Sequence, residues 1–162
     1  SLQDKDRFNL ARELKERAKK MGSRIILPVD FMAGDAFSEK AQTKVLTAEE
    51  FSDPWMALDI GPKTIELYVE TLKKMKTVVW NGPMGVFEMK PFAKGTHAIA
   101  NAVANLDATT VVGGGESAAV VDQMGIGDKF SHVSTGGGAS LEMLEGMILP
   151  GVTILSDKEE IH

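Results

Sequence analysis

Apolar residues near the start of the chain recur at Phe8, Ala11, Leu14, Ala18 and Met21. That spacing predicts a helix over residues 4–21, closed by Gly22. The period then changes. The stretch RIILPVD, residues 24–30, reads as a buried strand. Residues 31–61 have little periodicity beyond a short strand near 44–46 and the apolar cluster Trp55, Met56 and Leu58. Phe31, Phe37, Phe51 and Trp55 need burial, so this segment is expected to be an ordered excursion.

A helical period returns from Thr64 through Ile65, Tyr68, Leu72 and Met75, and TVVW follows as a strand. After the turn-rich loop NGPMGVFEMKPFAKG comes a helix over 96–106 with Ile99, Ala102, Val103 and Leu106 inward. The strand TTVV, three glycines and a helix over 117–124 come next. A short strand HVS, a second glycine triplet, a helix over 139–145 and a last strand GVTIL complete the pattern. Strands alternating with helices long enough for crossovers predict an α/β fold: a Rossmann-like three-layer αβα domain with a mainly parallel sheet.

Composition narrows this little. At 162 residues the chain suits one domain, and 43% hydrophobic with 25% charged residues is ordinary for a globular protein. A net charge of −5 gives no reason to expect nucleic acid or an anionic membrane as partner. The four arginines, Arg7, Arg12, Arg17 and Arg24, lie near the start and read as a solvated helix face. With no cysteine, disulfides and thiolate chemistry are excluded. Without a long apolar run or a signal peptide, the cytoplasm is the expected compartment. The chain begins SLQDKD, with no initiator Met, as a piece of a longer protein would.

The chemistry lies at the strand ends. In parallel sheets ligands sit beyond the carboxyl ends of the strands, and the loops there begin at Asn81, Gly113 and Thr135, all rich in glycine. Glycines 113–115 and 136–138 each lead from a strand into a helix. A helix N-terminus offers unpaired N–H groups and a partial positive charge, which suits phosphate, and missing Cβ atoms let a ligand touch the backbone. Tight turns with close helix–sheet packing would use the same glycines. Glu116, at the helix start, is either a dipole-stabilising acid or a ligand for the Mg2+ carried by a nucleotide. Glu88, on the same rim, is either a solvated loop acid or an acceptor for ribose hydroxyls.

Three familiar motifs are approached and missed. GGGESA contains G-x-G-x-x-A, but the strand that follows ends in Ser134 and Thr135 without the acid of a dinucleotide site. GESAA lacks the final glycine of a nucleophile elbow around Ser117, and only His132 and His162 follow. GPKT lacks the Walker glycine immediately before its lysine, where Pro62 stands; Pro62 and Thr64 instead open a helix. A non-catalytic nucleotide-binding module stays open as a reading, because the glycine loops carry no lysine or arginine.

The stretches VVWNGPMGVFE, VVGGGESAA and HVSTGGGASLEMLEG, with PVD, DAFSEKAQT and ALDIGPKT, occur in one order. Together they resemble the C-terminal, nucleotide-binding domain of the phosphoglycerate kinase family over about residues 2–155. The resemblance implies part of a two-domain, hinge-bending, monomeric glycolytic enzyme. Such an enzyme moves a phosphoryl group reversibly between 1,3-bisphosphoglycerate and ADP, with Mg2+, giving 3-phosphoglycerate and ATP. It further implies that Leu58 and Val86 flank the adenine, Asn81 lies near the phosphates and Glu88 holds the ribose. Gly113, Gly114, Gly115, Glu116 and Ser117 would form the phosphate and metal loop. Gly136 and Gly137 would turn N–H groups toward the transferring phosphoryl as the catalytic pair.

Two departures change what is expected. The family has Asp where Glu116 stands, so this carboxylate reaches one methylene farther. The family's phosphoglycerate-binding N-terminal domain, and the first part of its nucleotide domain with further lysines, have no counterpart in these 162 residues. The chain by itself is therefore expected to be inactive, with an exposed sheet edge and apolar patch.

Overall fold

The computed structural model describes residues 5–155. Its centre is a parallel sheet of β4 (Thr77–Asn81), β5 (Thr109–Gly113) and β6 (His132–Ser134) in that order. Each crossover is a helix, α3 (Lys94–Ala104) between β4 and β5 and α4 (Gly115–Gln123) between β5 and β6. The expected α/β fold with a parallel, helix-flanked sheet is thus found. Strand β4 alternates, with Val78 and Trp80 buried between exposed neighbours, and its inward residues meet Ile99, Val103, Val112, Val120 and Val121 in one core. Val112 and Val120 are wholly buried, each worth about 1.5–3 kcal/mol against exposure. Helix α2 (Pro62–Leu72) packs on α3 and adds Ile65, Tyr68, Val69 and Leu72 to the rim of that core.

The low-periodicity segment holds a second sheet that its pattern did not announce. β1 (Phe31–Gly34) is central and antiparallel to both β2 (Thr43–Leu46) and β3 (Met56–Ile60). The short strand expected near 44–46 is β2, whereas β1 and β3, four and five residues long, are too short for alternation to register. Phe31 and Phe51 meet edge to face with centroids 5.6 Å apart, and Lys44 Nζ lies 4.0 Å from the centre of the Trp55 ring. Phe37 departs from expectation: it is 63% exposed, on the connection between β1 and β2 closed by the bond from Asp35 N–H to the Gln42 carbonyl.

Two expected strands do not form. Residues 24–30 form no strand and bend at Val29, without a strand partner among the described residues, and Ile25, Leu27 and Val29 are about half exposed. A strand needs a neighbour to complete its ladder; here the segment is held instead by the Tyr68 hydroxyl on the Ile26 carbonyl (3.3 Å) and the Val29 N–H on Thr64 Oγ1 (3.0 Å). GVTIL becomes a helical turn, α6 (Pro150–Thr153), begun by Pro150. Proline pre-sets the first helical residue, and Val152, Ile154 and Leu155 stay exposed. Helix α1 (Phe8–Lys20) ends as predicted at Gly22, with the Ser23 N–H donating to the Ala18 carbonyl at 2.9 Å. Asp4, the start of its sequence-based range, lies outside the described residues. Phe8 and Leu14 on its apolar stripe remain about half exposed.

Candidate functional site

Strand register aligns the three loops. Asn81 pairs with Gly113 at the end of β4 and β5, and Gly113 pairs with Ser134 at the end of β6. The glycine loops then touch. A Cβ on Gly137 would lie 2.7 Å from the Gly114 Cα, and Gly114, at φ +93°, would place a Cβ 2.7 Å from Asn81 Oδ1. Close approach of backbone to backbone accounts for Gly137, and the positive φ with the Asn81 side chain beside it accounts for Gly114. Between the loops the Gly114 N–H donates to the Ser134 carbonyl at 3.1 Å.

The N–H groups divide into occupied and open ones. In α4 the first backward bond is Ala118 N–H to the Gly114 carbonyl, and no side chain caps the helix. The N–H groups of Gly115, Glu116 and Ser117 therefore precede the helix ladder and point where a positive partial charge collects. In α5 (Gly137–Leu144) the first such bond is Ser140 N–H to Gly136, again without a side-chain cap. The Gly136 N–H donates to Ser134 Oγ (3.2 Å) and the Gly137 N–H to the Thr135 carbonyl (3.1 Å). Both are turned back on their own loop. Gly138 and Ala139 are the next two in line.

Side chains sort differently. Ser117, read as part of the phosphate loop, is fully buried and its hydroxyl accepts the Gly82 N–H at 2.7 Å, while Trp80 Nε1 donates to the Gly82 carbonyl at 2.7 Å. Glu116 is exposed in the first turn of α4. Among the described residues no group of three or more His, Cys, Asp or Glu could hold a metal. One carboxylate at a phosphate-attracting helix end suits an ion that arrives on a nucleotide, since Mg2+ keeps waters and phosphate oxygens as most of its ligands.

Leu58 and Val86 are joined, the Val86 N–H donating to the Leu58 carbonyl at 2.8 Å; Leu58 is buried and Val86 half-buried. Glu88 is exposed and lines an open groove of about 700 Å³ with Phe87, Lys90, Lys94, His97 and Asn101. The lining of that groove includes none of the glycine loops. The structure thus gathers Asn81, Gly113, Gly114, Ser117 and Gly137 tightly, and sets Val86 and Glu88 on the adjoining loop, with Leu58 on strand β3 beneath Val86.

Sequence reasoning passed over two buried acids, Asp59 against the loop that follows β4 and Asp30 at the start of α2. Asp59 accepts the Ile60 N–H at 2.8 Å and the Gly95 N–H at 2.7 Å. Burial pushes its carboxyl above the ordinary range, against the opposing pull of the Gly95 and Ile60 N–H groups and of His97. Asp30 takes the Thr64 N–H (2.7 Å) and Lys63 N–H (3.0 Å), capping α2 from a distant loop. The available signal was an acid inside an apolar run, in ALDIG and ILPVD.

Comparison with known proteins agrees along the chain. A family model described as phosphoglycerate kinase matches residues 1–147. The phosphoglycerate kinase of Clostridium tetani is 52% identical over 158 residues, covering 98% of this chain and 39% of the relative. That of Clostridium novyi is 54% identical over 160 residues, covering 98% and 40%. The solved phosphoglycerate kinase of Coxiella burnetii superposes with TM-score 0.88 at 39% identity over 95% of this chain and 39% of that one. The Pyrococcus horikoshii structure gives 0.75 at 35% identity, with 92% and 36% covered. The chain thus spans about 40% of the length of its curated relatives. No helix among the described residues is long and apolar enough to cross a membrane. By the family model over residues 1–147 and the solved structures of the same fold, the chain belongs to the phosphoglycerate kinase family.

Proposed function

We propose that this chain supplies the Mg·nucleotide half of a phosphoglycerate kinase, which moves a phosphoryl group between 1,3-bisphosphoglycerate and ADP. The observation that carries the reading is the contact of Gly137 with Gly114 beside Asn81, which brings two uncapped helix N-termini to one point on the sheet rim. Phosphoryl transfer needs little covalent help from protein; it needs positioning and stabilised charge. Here the N–H groups at the start of α4 hold phosphate oxygens, Asn81 orients them, and the α5 terminus, with Gly136 and Gly137 shaping its approach, faces the transferring group. Glu116 holds the Mg2+ directly or through water. That ion, when bound, neutralises phosphate charge and orients the nucleotide. Val86, tied to the Leu58 carbonyl, presents apolar surface to the base beside Leu58, and Glu88 accepts ribose hydroxyls.

The acid substrate is bound outside these residues, in the part of the family's length that this chain does not span. The 162-residue chain alone therefore has no turnover, in keeping with a monomeric cytoplasmic enzyme that closes two domains over its substrates and excludes water. The test is an amide-correlation spectrum of the 15N-labelled chain with and without Mg·ADP. Shifts confined to residues 81–88, 113–117 and 136–139 support the reading. A dispersed spectrum indifferent to Mg·ADP removes nucleotide binding from this chain, and turnover by the pure chain removes the claim that it is inactive alone.

A further inference from the structure

The loop 82–88 is the first part of the connection from β4 to α3 and carries Val86 and Glu88. The backbone donors from Gly82 to Val86 are directed into the protein. The Gly82 N–H goes to Ser117 Oγ, the Met84 and Gly85 N–H groups both go to Thr96 Oγ1 at 3.0 and 3.3 Å, and the Val86 N–H goes to the Leu58 carbonyl. Pro83 has none to give. This loop therefore offers a ligand side chains, whereas the loops at α4 and α5 offer N–H groups.

Thr96 is wholly buried in the first turn of α3, next to Gly95, whose N–H is held by the buried carboxylate of Asp59. Asp59 also abuts the loop, since a Cβ on Gly85 would meet its Oδ1 at 2.5 Å. One side chain thus fixes the end of α3, and the next residue on that helix fixes the loop. We infer that Thr96, seated by Asp59, is a positioning residue that sets Val86 and Glu88 for the base and ribose while leaving phosphate recognition to the glycine loops. This rests on the nucleotide reading above. Deleting the Thr96 acceptor leaves the Met84 and Gly85 N–H groups without their partner, and the loop must move to find another.

The test compares Mg·ADP with Mg·pyrophosphate, which has the phosphates but neither base nor ribose. Dissociation constants are measured by calorimetry on the complete protein containing this sequence, as wild type, Thr96→Val and Thr96→Ser. Thr96→Val keeps shape and removes the hydroxyl; Thr96→Ser keeps the hydroxyl. The expected result is at least a tenfold loss of Mg·ADP affinity in Thr96→Val, pyrophosphate affinity within twofold of wild type, and recovery of most ADP affinity in Thr96→Ser. Unchanged ADP binding in Thr96→Val overturns the inference, as does equal loss for both ligands, which would mark a general structural role. If Thr96→Val fails to fold, Thr96→Ala and Thr96→Ser are compared by amide exchange: protected Met84 and Gly85 amides in the alanine variant overturn the inference. A wild type that binds neither ligand removes the nucleotide reading itself.

Discussion

Ser117 and Gly82 lie 35 positions apart and are joined by a 2.7 Å hydrogen bond from the Gly82 amide to the Ser117 hydroxyl. That bond fastens the start of α4 to the end of β4, and hence one ligand loop to another. Ser117→Ala leaves a half-buried N–H without its acceptor, so stability falls by about 1–3 kcal/mol. Urea unfolding measures this, and an unchanged midpoint would show that water replaces the hydroxyl at no cost.

Asp30 and Thr64 form the other long-range clasp. The Asp30 carboxylate accepts the Thr64 N–H and hydroxyl, each at 2.7 Å, and Thr64 Oγ1 accepts the Asp30 N–H at 3.0 Å. Both residues are buried. Asp30→Ala removes a cap and strands these donors together, and is expected to cost about 3 kcal/mol. Thr64→Val costs less, and because the two share partners the double variant loses less than the sum, with a coupling of about 0.5–3 kcal/mol. Additive losses in a double-mutant cycle would show that the clasp does not act as one unit.

How much of this was legible depended on where each element finds its partners. Helices α2, α3 and α4 and strands β4, β5 and β6 were readable because each carries its own apolar period and buries it locally, as Val78 and Trp80 do against Ile99 and Val103. The glycine triplets were readable because a residue without Cβ has few reasons to recur at a strand end. Residues 24–30 were misread because IIL followed by Val29 has the apolar run of a buried strand, yet a strand is a relation to a neighbour. Of the antiparallel sheet only β2 was foreseen, as the short strand near 44–46, because β1 and β3 owe their form to their partners. Thr96 and Asp59 escaped because their importance lies in the amides they accept, which sequence does not display.

Asp59 gives a pH prediction with a defined sign. Burial raises its folded pKa above the ordinary carboxylate value, so the folded state holds the proton more tightly than the unfolded one. Between the ordinary value and the raised one, stability falls as pH rises through this group. Asp59→Asn removes that slope, but an amide NH2 cannot accept from both Ile60 and Gly95, so the variant is less stable at neutral pH by about 1–3 kcal/mol. Urea midpoints from mildly acidic to neutral pH check both parts. The advantage of wild type over variant should shrink as pH rises, and an advantage that grows would contradict the sign.

Gly137 and Gly138 are adjacent and face different constraints. A Cβ on Gly137 would come within 2.7 Å of the Gly114 Cα, a contact neither backbone can relieve without moving, whereas one on Gly138 meets nothing within 4 Å. Gly137→Ala therefore pushes the two ligand loops apart, costing about 1–3 kcal/mol and lowering Mg·ADP affinity as the α4 and α5 termini separate. Gly138→Ala should leave thermal stability unchanged or slightly raised, because alanine favours the helix it enters. Its Mg·ADP affinity is expected to drop at least tenfold, since the open space beside Gly138 is where the proposed phosphate meets the α5 N-terminus. A stable Gly138→Ala protein that binds Mg·ADP like wild type would place the phosphate elsewhere on the rim, closer to Gly115 and Glu116.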